Sequence, residues 1–507
     1  MSEAPARPAD SSGPAESGVP GPLRANAVVT VLAFAGIVVA LMQTLVIPLL
    51  PELPKLLDAS PSDATWAITA TLLAGSVATP VVGRLGDMYG KRRMLLASLA
   101  LLVTGSVVCA LSDSLAPMLV GRTLQGMSSG VIALGISIMR DELPSERLAG
   151  ATALMSASLG VGGALGLPAA AFLADHADWH VLFWASAGTG VVATALVVRI
   201  VPESPVRTGG RFDVVGAAGL STALVCLLLA ISKGAGWGWG SARTLGLLLT
   251  AVAVLLAWGR WELRAGQPLV DLRTTVRRQV LFTNLASLVF GFSMFAMVLV
   301  FPQILQLPEA TGYGLGRTML TVGLVLAPQG LVMMATAPLS ARLSRTKGPK
   351  VTLMTGALVV AAGYGLSLFL MATVWQLVLV SCVIGAGVGL SYGAMPALVM
   401  GAVPVSATAA ANSLNTLMRS IGTAVSSAVA GVVLARMTTS FGGVPLPSEN
   451  GFRLVMGIGA GAAVLALGFA SFLPRGQAIA PAVEPAEGRL VTSAPGANSR
   501  DEATGSE

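Results

Sequence analysis

From Asn26 to Leu473 the chain is a succession of apolar runs, each about 20 residues long, separated by short polar breaks. Wound as an α-helix at about 1.5 Å per residue, such a run crosses the roughly 30 Å hydrocarbon layer of a bilayer. Lipid offers the backbone no hydrogen bonds, so a crossing segment must satisfy its own, and a helix does this internally. Composition points the same way. The 507 residues are 54% hydrophobic and 11% charged, whereas a soluble domain carries roughly 25% charged residues. So few polar groups cannot cover a chain of this size in water. The 59 glycines would weaken soluble helices but suit helices that pack backbone to backbone in a membrane.

The runs and breaks predict fourteen helices, at 26–50, 64–82, 94–112, 117–139, 149–173, 181–200, 213–232, 243–261, 279–302, 318–340, 351–371, 375–399, 408–435 and 452–473. Trp237, Gly238 and Trp239 mark a short turn between the seventh and eighth. An even number brings both termini to one side. Lys and Arg gather after even-numbered helices, as in Arg84, Lys91, Arg92 and Arg93, or Arg342, Arg345, Lys347 and Lys350; loops after odd-numbered helices carry isolated ones such as Lys55 and Arg317. The richer side should be cytoplasmic. The expectation is a multi-pass plasma-membrane protein, bacterial by its Ala/Gly/Leu/Val-heavy composition, with both termini inside. The same distribution accounts for the net charge of +7 with no nucleic acid as partner. Residues 1–25 and 474–507 read as disordered cytoplasmic tails, the first being no signal peptide because no basic start leads into an apolar core. Cys109, Cys226 and Cys382 fall inside apolar runs and read as small helix residues rather than disulfide partners or metal ligands.

The chain repeats itself. After the second helix it reads Gly83-Arg84-Leu85-Gly86-Asp87-Met88-Tyr89-Gly90-Lys91-Arg92-Arg93, and after the tenth Ala341-Arg342-Leu343-Ser344-Arg345-Thr346-Lys347-Gly348-Pro349-Lys350. Arg-Leu, a later Gly and a basic ending align at an offset of 258 residues. This pairs helices 1–6 with helices 9–14. The expected domains are a six-helix bundle over 26–200, a two-helix insert with flanking loops over 201–278, and a second six-helix bundle over 279–473. Two such halves are the architecture of alternating-access carriers, with substrate near the midplane at the repeat interface.

The stretch Gly83–Arg93 resembles the loop between helices 2 and 3 of the major facilitator superfamily, and the 6 + 2 + 6 layout resembles its fourteen-helix drug:proton antiporter branch. The resemblance implies an all-α polytopic membrane protein with the major facilitator fold, 14 transmembrane helices arranged 6 + 2 + 6. It implies a secondary transporter, not an enzyme, that exports small, largely apolar organic compounds by proton antiport. The expected partners are a small-molecule substrate, protons and the bilayer; neither cofactor nor metal is expected, and the protein is expected to act as a monomer. In the superfamily the loop acts as a latch between the cytoplasmic ends of the halves, which assigns that role to Gly83, Arg84, Gly86, Asp87, Gly90, Lys91 and Arg92. The physics fits: Gly83 and Gly86 allow close approach, Gly90 a tight turn, and Asp87 can accept from a helix N-terminus or an Arg. In the second copy Arg345 stands where Asp87 stands, so that latch should be weaker or different.

Three further stretches carry the resemblance. Gly121-Arg122-Thr123-Leu124-Gln125-Gly126 in helix 4 is similar to the superfamily's Arg-x-x-Gln-Gly motif, which implies that Arg122 and Gln125 serve proton transfer or substrate charge. An Arg inside a span costs about 2.5–3.5 kcal/mol and needs a partner or a wet cavity. It does not release a proton near neutral pH, so its role is to bias a neighbour or bind an anion. Helix 5, with Gly162, Gly166 and Pro168, is similar to the antiporter motif, although Ala170 and Ala171 replace its closing Gly pair. In helix 13, Asn412, Asn415 and Arg419 lie on one face at i, i+3, i+7 and resemble the Asn-x-x-x-Arg-x-x-Gly pattern of the fourteen-helix branch. With Gln43 of helix 1 and with Met294 and Phe295 of helix 9, Asn412 and Asn415 are the expected substrate cavity, thioether and ring suiting a permissive apolar pocket.

One departure matters. Family members often carry an acid in a Leu-Asp-x-Thr pattern in helix 1; here the run is Leu41-Met42-Gln43-Thr44. None of the 24 acids falls deep within a span. The groups left for proton coupling are Asp175, His176 and Glu52 at the outer surface, and the cavity is expected to suit neutral, zwitterionic or anionic compounds over permanent cations. No Gly-x-x-x-x-Gly-Lys-Ser/Thr supports an ATP-driven pump and no Gly-x-Ser-x-Gly a hydrolase. The alternative is an importer or facilitator of a small solute on the same fold.

Overall fold

The computed structural model describes residues 22–474, apart from Pro48, Leu50, Pro51 and Gly443; the predicted tails fall almost wholly outside that range. Fourteen long helices follow in order among the described residues. The first half holds α1 (Pro22–Thr44), α2 (Trp66–Tyr89), α3 (Lys91–Ala110), α4, α5 (Ser145–His176) and α6 (His180–Ile200). The insert is α7 (Val214–Trp237) and α8 (Ala242–Glu262). The second half holds α9 (Arg278–Gln306), α10, α11 (Pro349–Ser367), α12 (Val374–Met400), α13 (Thr408–Arg436) and α14 (Glu449–Ser471). Thirteen helical segments are long and apolar enough to cross a membrane.

The fourteenth, α4, is interrupted. It runs Leu115–Gly126, tightens into a 3-10 turn over Met127–Gly130, and resumes at Val131–Glu142. Ser128 and Ser129 each turn a hydroxyl back onto a carbonyl three residues earlier, Gln125 and Gly126, both at 2.7 Å. The flanking glycines bring α2 close. A Cβ on Gly126 would lie 2.3 Å from the Thr71 carbonyl, and one on Gly130 would lie 2.9 Å from Val82. In α10, Met319–Ala335 gives way at Thr336 to Ala337–Lys347, where Pro338 has no N–H to continue the ladder.

Two boundaries correct the sequence reading. α1 ends at Thr44 rather than 50, in turns that precede Pro48. The basic stretch after α2 is not a loop: α2 stays helical to Tyr89, and the chain reverses at Gly90 alone, with φ 123°. Gly348, 258 positions later, reverses the chain in the same way with φ 88°. The internal repeat is thus a repeated helix–glycine–helix corner, which only a residue without Cβ adopts easily.

The apolar core falls into two large clusters, one drawn mostly from α1–α6 and one from α9–α14. Helix α5 serves both: Ala151 and Met155 belong to the first, Ala153, Ala157 and Leu167 to the second. Small residues set the approach, as expected where lipid removes the hydrophobic drive between helices. A Cβ on Gly330 of α10 would lie 2.2 Å from the Gly160 carbonyl of α5, and one on Gly323 would lie 2.7 Å from Pro168 N. The insert is unequal. α7 rests on both halves, its Ala217, Leu220 and Leu224 clustering with Val77 and Val81 of α2 and with Leu414 and Leu417 of α13. Lys233 of α7 donates to Thr65 Oγ1 at 2.7 Å and lies over the Trp66 ring. Helix α8 packs outside α7 and leaves Leu249 and Leu256 over 70% exposed, to lipid. Opposite the Gly90 face, a hairpin of β1 (Thr438–Phe441) and β2 (Val444–Pro447) joins α13 to α14, and Tyr313 donates to the Pro447 carbonyl at 2.6 Å.

Within the second half, α9 and α13 touch backbone to backbone: a Cβ on Gly422 would lie 1.8 Å from the Leu288 carbonyl. Gly422→Ala should therefore cost about 1–3 kcal/mol and lower the thermal unfolding midpoint in detergent. Gly457→Ala, where nothing lies within 4 Å, should leave that midpoint unchanged.

Candidate functional site

The first polar constellation closes one end of the seam between the halves. Helix α13 begins at Thr408 behind Ala407, which has no side chain able to cap it. Its first N–H groups lack intrahelical partners. Asp87, fully buried near the end of α2, supplies the cap from the other half: Ala409 N donates to Oδ1 at 3.2 Å and Ala410 N to Oδ2 at 2.8 Å. The helix dipole favours a carboxylate at this end. Gly83 makes the approach possible, since a Cβ there would lie 2.1 Å from Ser413 Oγ, while Gly86 admits α4 of its own half, a Cβ there lying 2.4 Å from Leu134.

Lys91, also fully buried, holds Asp141 of α4 at 2.6 Å and lies 3.9 Å from Asp87. Ser204 donates to the same Asp141 oxygen, and Thr208 N donates to the Asp87 carbonyl at 2.8 Å, so the segment after α6 is tied in. Arg92 donates to the Val198 carbonyl, Gly90 turns beneath Glu203, and Arg84 stays half-buried beside the cluster. The sequence reading missed Arg140. From the end of α4 it donates to Thr408 Oγ1 at 2.7 Å and to the Val403 carbonyl at 3.1 Å, a second clasp between the halves. Only its place one residue before Asp141 hinted at this. In the second copy Arg345 is exposed and makes no equivalent cap.

The second constellation surrounds Arg122, 1% exposed in α4. Its Nε donates to the Ala67 carbonyl at 3.1 Å, and one terminal nitrogen to the Met42 carbonyl at 3.1 Å and to Gln125 Oε1 at 2.7 Å. Gln125 in turn donates to Ser106 Oγ at 2.9 Å, and Ser106 meets Ser186 at 2.9 Å. The Met42 carbonyl is available because α1 ends two residues later, so no further helical turn supplies it with an N–H. Met42, standing where the family's acid would stand, is buried with its sulfur against Ser106 and Ser186. Gln43 reaches Ser129 of the α4 turn at 3.5 Å.

In α5, Gly162 and Gly166 face α1: Cβ atoms there would lie 2.5 Å from Ala40 and 2.0 Å from Thr44 Oγ1. Pro168 lies on the other side, against Gly323 of α10. This stripe therefore packs one half internally and presents its proline to the other. In α13 the predicted polar face divides. Asn412 donates to the Thr408 carbonyl at 3.0 Å, and Asn415 donates across to Asn284 of α9 at 3.0 Å; both are buried. Arg419 alone of the three is half-buried, its guanidinium 4.7 Å from the centre of the Tyr392 ring. The Tyr392 hydroxyl donates to Met294 at 3.5 Å, and Met294 and Phe295 are both half-buried.

No carboxylate reaches this interior. The acids with buried side chains among the described residues include Asp87, Asp141 and Glu262, each at a helix end. Glu52 is exposed, and His176 stacks on Phe172 with Nδ1 2.8 Å from its carbonyl; the Asp175 side chain lies outside the described residues. His180 links two loops on this face, meeting Asp178 at 2.5 Å and Asp113 at 3.5 Å, and its bonds hold Asp178 below the usual carboxylate range.

With this geometry in view, comparison with known proteins is informative. The family model described as Major Facilitator Superfamily matches residues 32–427 and 318–499. An uncharacterized MFS-type transporter of Mycobacterium tuberculosis is 29% identical over 446 residues, 84% of this chain and 63% of that protein. The tetracenomycin C resistance and export protein of Streptomyces glaucescens is 30% identical over 341 residues, 66% of this chain and 62% of that protein. The chain thus spans somewhat under two thirds of the length of these relatives. Among solved structures, the human organic anion transporter MFSD10 superposes with a TM-score of 0.62 over 88% of this chain and 99% of that one. At 16% identity this likeness is one of fold alone.

The cap that Asp87 gives α13 can be measured directly. A hydrogen bond to a charged group is worth about 1.5–3 kcal/mol. Asp87→Ala should therefore speed hydrogen–deuterium exchange at the start of α13, around Ala409 and Ala410, by about tenfold or more. Protection equal to the parent protein would show that the two N–H groups do not depend on Asp87.

Proposed function

The chain belongs to the major facilitator superfamily, and on that premise we propose that it exports small, largely apolar organic compounds by alternating access and proton antiport. It is a multi-pass membrane transporter of bacterial type for small molecules, not an enzyme. The observation that carries the proposal is the capping of α13 by Asp87. A few polar bonds join the halves at one face, against a seam of small residues, and bonds of that kind can break and re-form as the halves rock. Export is supported by the name of the Streptomyces relative, a resistance and export protein, and by the glycine–proline stripe of α5. The distribution of Lys and Arg supports a plasma-membrane location with the Asp87 face and both termini cytoplasmic. In that orientation the latched structure is closed to the cytoplasm. We take the working unit to be a monomer, since each half already buries its own core.

On this proposal Gly83, Arg84, Gly86, Asp87, Gly90, Lys91, Arg92 and Arg140 set the latch. Arg122 and Gln125 tie α1 and α2 to the α4 turn, so a change at the end of α1 is felt in the first half's core. Gln43, Met294, Phe295 and Arg419 face substrate, while Asn412 and Asn415 hold α13 in register. One observation favours a second reading, a facilitator or importer: Met42 leaves α1 without a group that changes charge. Asp175, His176 and Glu52 are then the groups through which protons couple, or coupling is absent.

Two measurements test this. Cells expressing the protein should expel a panel of lipophilic compounds, and a protonophore should abolish the effect; efflux that survives the protonophore, or accumulation in place of efflux, supports the second reading instead. Arg122→Ala leaves the Met42 carbonyl and Gln125 Oε1 without their donor, at about 1–3 kcal/mol for each unsatisfied group, while the Ala67 carbonyl keeps the Thr71 hydroxyl. It should cut flux by about tenfold or more while the protein still inserts, and near-normal flux would remove Arg122 from the mechanism.

A further inference from the structure

We propose that the substrate is an amphipathic organic anion, an apolar body bearing one carboxylate, phenolate or sulfonate that docks on the guanidinium of Arg419. This rests on the transporter reading above and narrows its substrate class.

Arg419 lies about eleven residues, or ~17 Å of helix rise, inside the start of α13 at Thr408. At that depth the side chain cannot extend to the headgroups. Its turn is locked in place. A Cβ on Gly291 would lie 2.1 Å from the Arg419 carbonyl, and Thr423 Oγ1 donates to that carbonyl at 3.0 Å and to Gly291 O at 3.4 Å. The root of the side chain is therefore fixed, and the Tyr392 ring receives its tip.

The two deep arginines differ in how they are satisfied. Arg122 has acceptors on three sides, in Ala67, Met42 and Gln125. Arg419 has the face of Tyr392 and, among the described residues, no hydrogen-bond acceptor and no carboxylate in ion-pair contact. A ring face stabilises a cation but uses none of its five N–H groups. Charged residues within a membrane are retained where a partner or a path needs them. Among the described residues only the Tyr392 ring meets this cation, and no acid in the interior neutralises the charge.

Ligand classes can be weighed on those facts. A cation is repelled. A neutral apolar compound leaves the donors idle while excluding the water that would satisfy them. An anion accepts a charge-assisted, forked pair of bonds from Arg. The surroundings select an organic anion over a small inorganic one, since the Tyr392 ring beside the guanidinium leads on to the half-buried thioether of Met294, an apolar surface for an apolar body.

The test is a binding measurement on the full chain purified in uncharged detergent. The probes are 8-anilino-1-naphthalenesulfonate and its uncharged parent N-phenyl-1-naphthylamine, titrated by calorimetry. The wild type should bind the sulfonate at least about tenfold more tightly. Arg419→Gln should erase that preference and keep affinity for the parent within about twofold. Arg419→Lys should retain part of the preference, because an ammonium keeps the charge but loses the fork. Equal affinities in the wild type, a preference undiminished in Arg419→Gln, or no measurable sulfonate binding overturns the proposal. Should Arg419→Gln fail to fold, the wild-type ratio decides alone. The titration is blind to direction and driving ion. An anion preference without cellular efflux sinks the exporter reading only, and efflux without the preference sinks this inference only.

Discussion

A helix needs its first N–H groups satisfied, and α13 cannot satisfy its own. Ala407 has no side chain to do it, and the acceptors come from Asp87 in the other half. Much of the structure follows from that borrowing. Gly83 lacks a side chain so that α2 can come near enough to α13, and Gly86 so that α4 can pack beside it. Lys91 stands behind Asp87, Asp141 stands behind Lys91, and Arg140 returns across the seam to Thr408. A carboxylate buried without such company would be costly. Here the helix end and the acid each relieve the other, and the relief exists only while the halves are together.

The interior shows the opposite condition. Arg122 is held by the Met42 carbonyl at the end of α1, the Ala67 carbonyl of α2 and Gln125 of its own helix, so it serves as a structural tie between three helices. Arg419 is held by its backbone and left open at its tip. Two identical side chains at comparable depth thus separate into one that builds the scaffold and one that faces outward from it. What separates them is the number of acceptors their neighbours supply, and side-chain identity alone does not reveal that number.

This also explains how much could be read without coordinates. Apolar length marked the fourteen long helices, because a bilayer imposes that length locally. The repeat was legible because Gly90 and Gly348 are corners that few other residues can make. Asp87 stood out as an acid among basic residues, although the stretch around it proved helical. Other features depended on tertiary partners and left little trace. Arg140 looked like one more charge at a helix end. The bend at Met127–Gly130 depends on serines turning back on their own helix, a choice set by how closely α2 approaches. The division of Asn412, Asn415 and Arg419 into buried and open residues required α9 and α12 to be in place.

Helix α7 leans on α2 and α13 together, one from each half. A body resting on two supports that separate can follow only one of them. In the rocking motion proposed above, the other support then loses its cover, and hydrocarbon tails must flow in to fill the space. The stiffness and lateral pressure of the surrounding membrane thereby become part of the energy difference between the two states, so the same chain would favour different states in fluid and in rigid lipid.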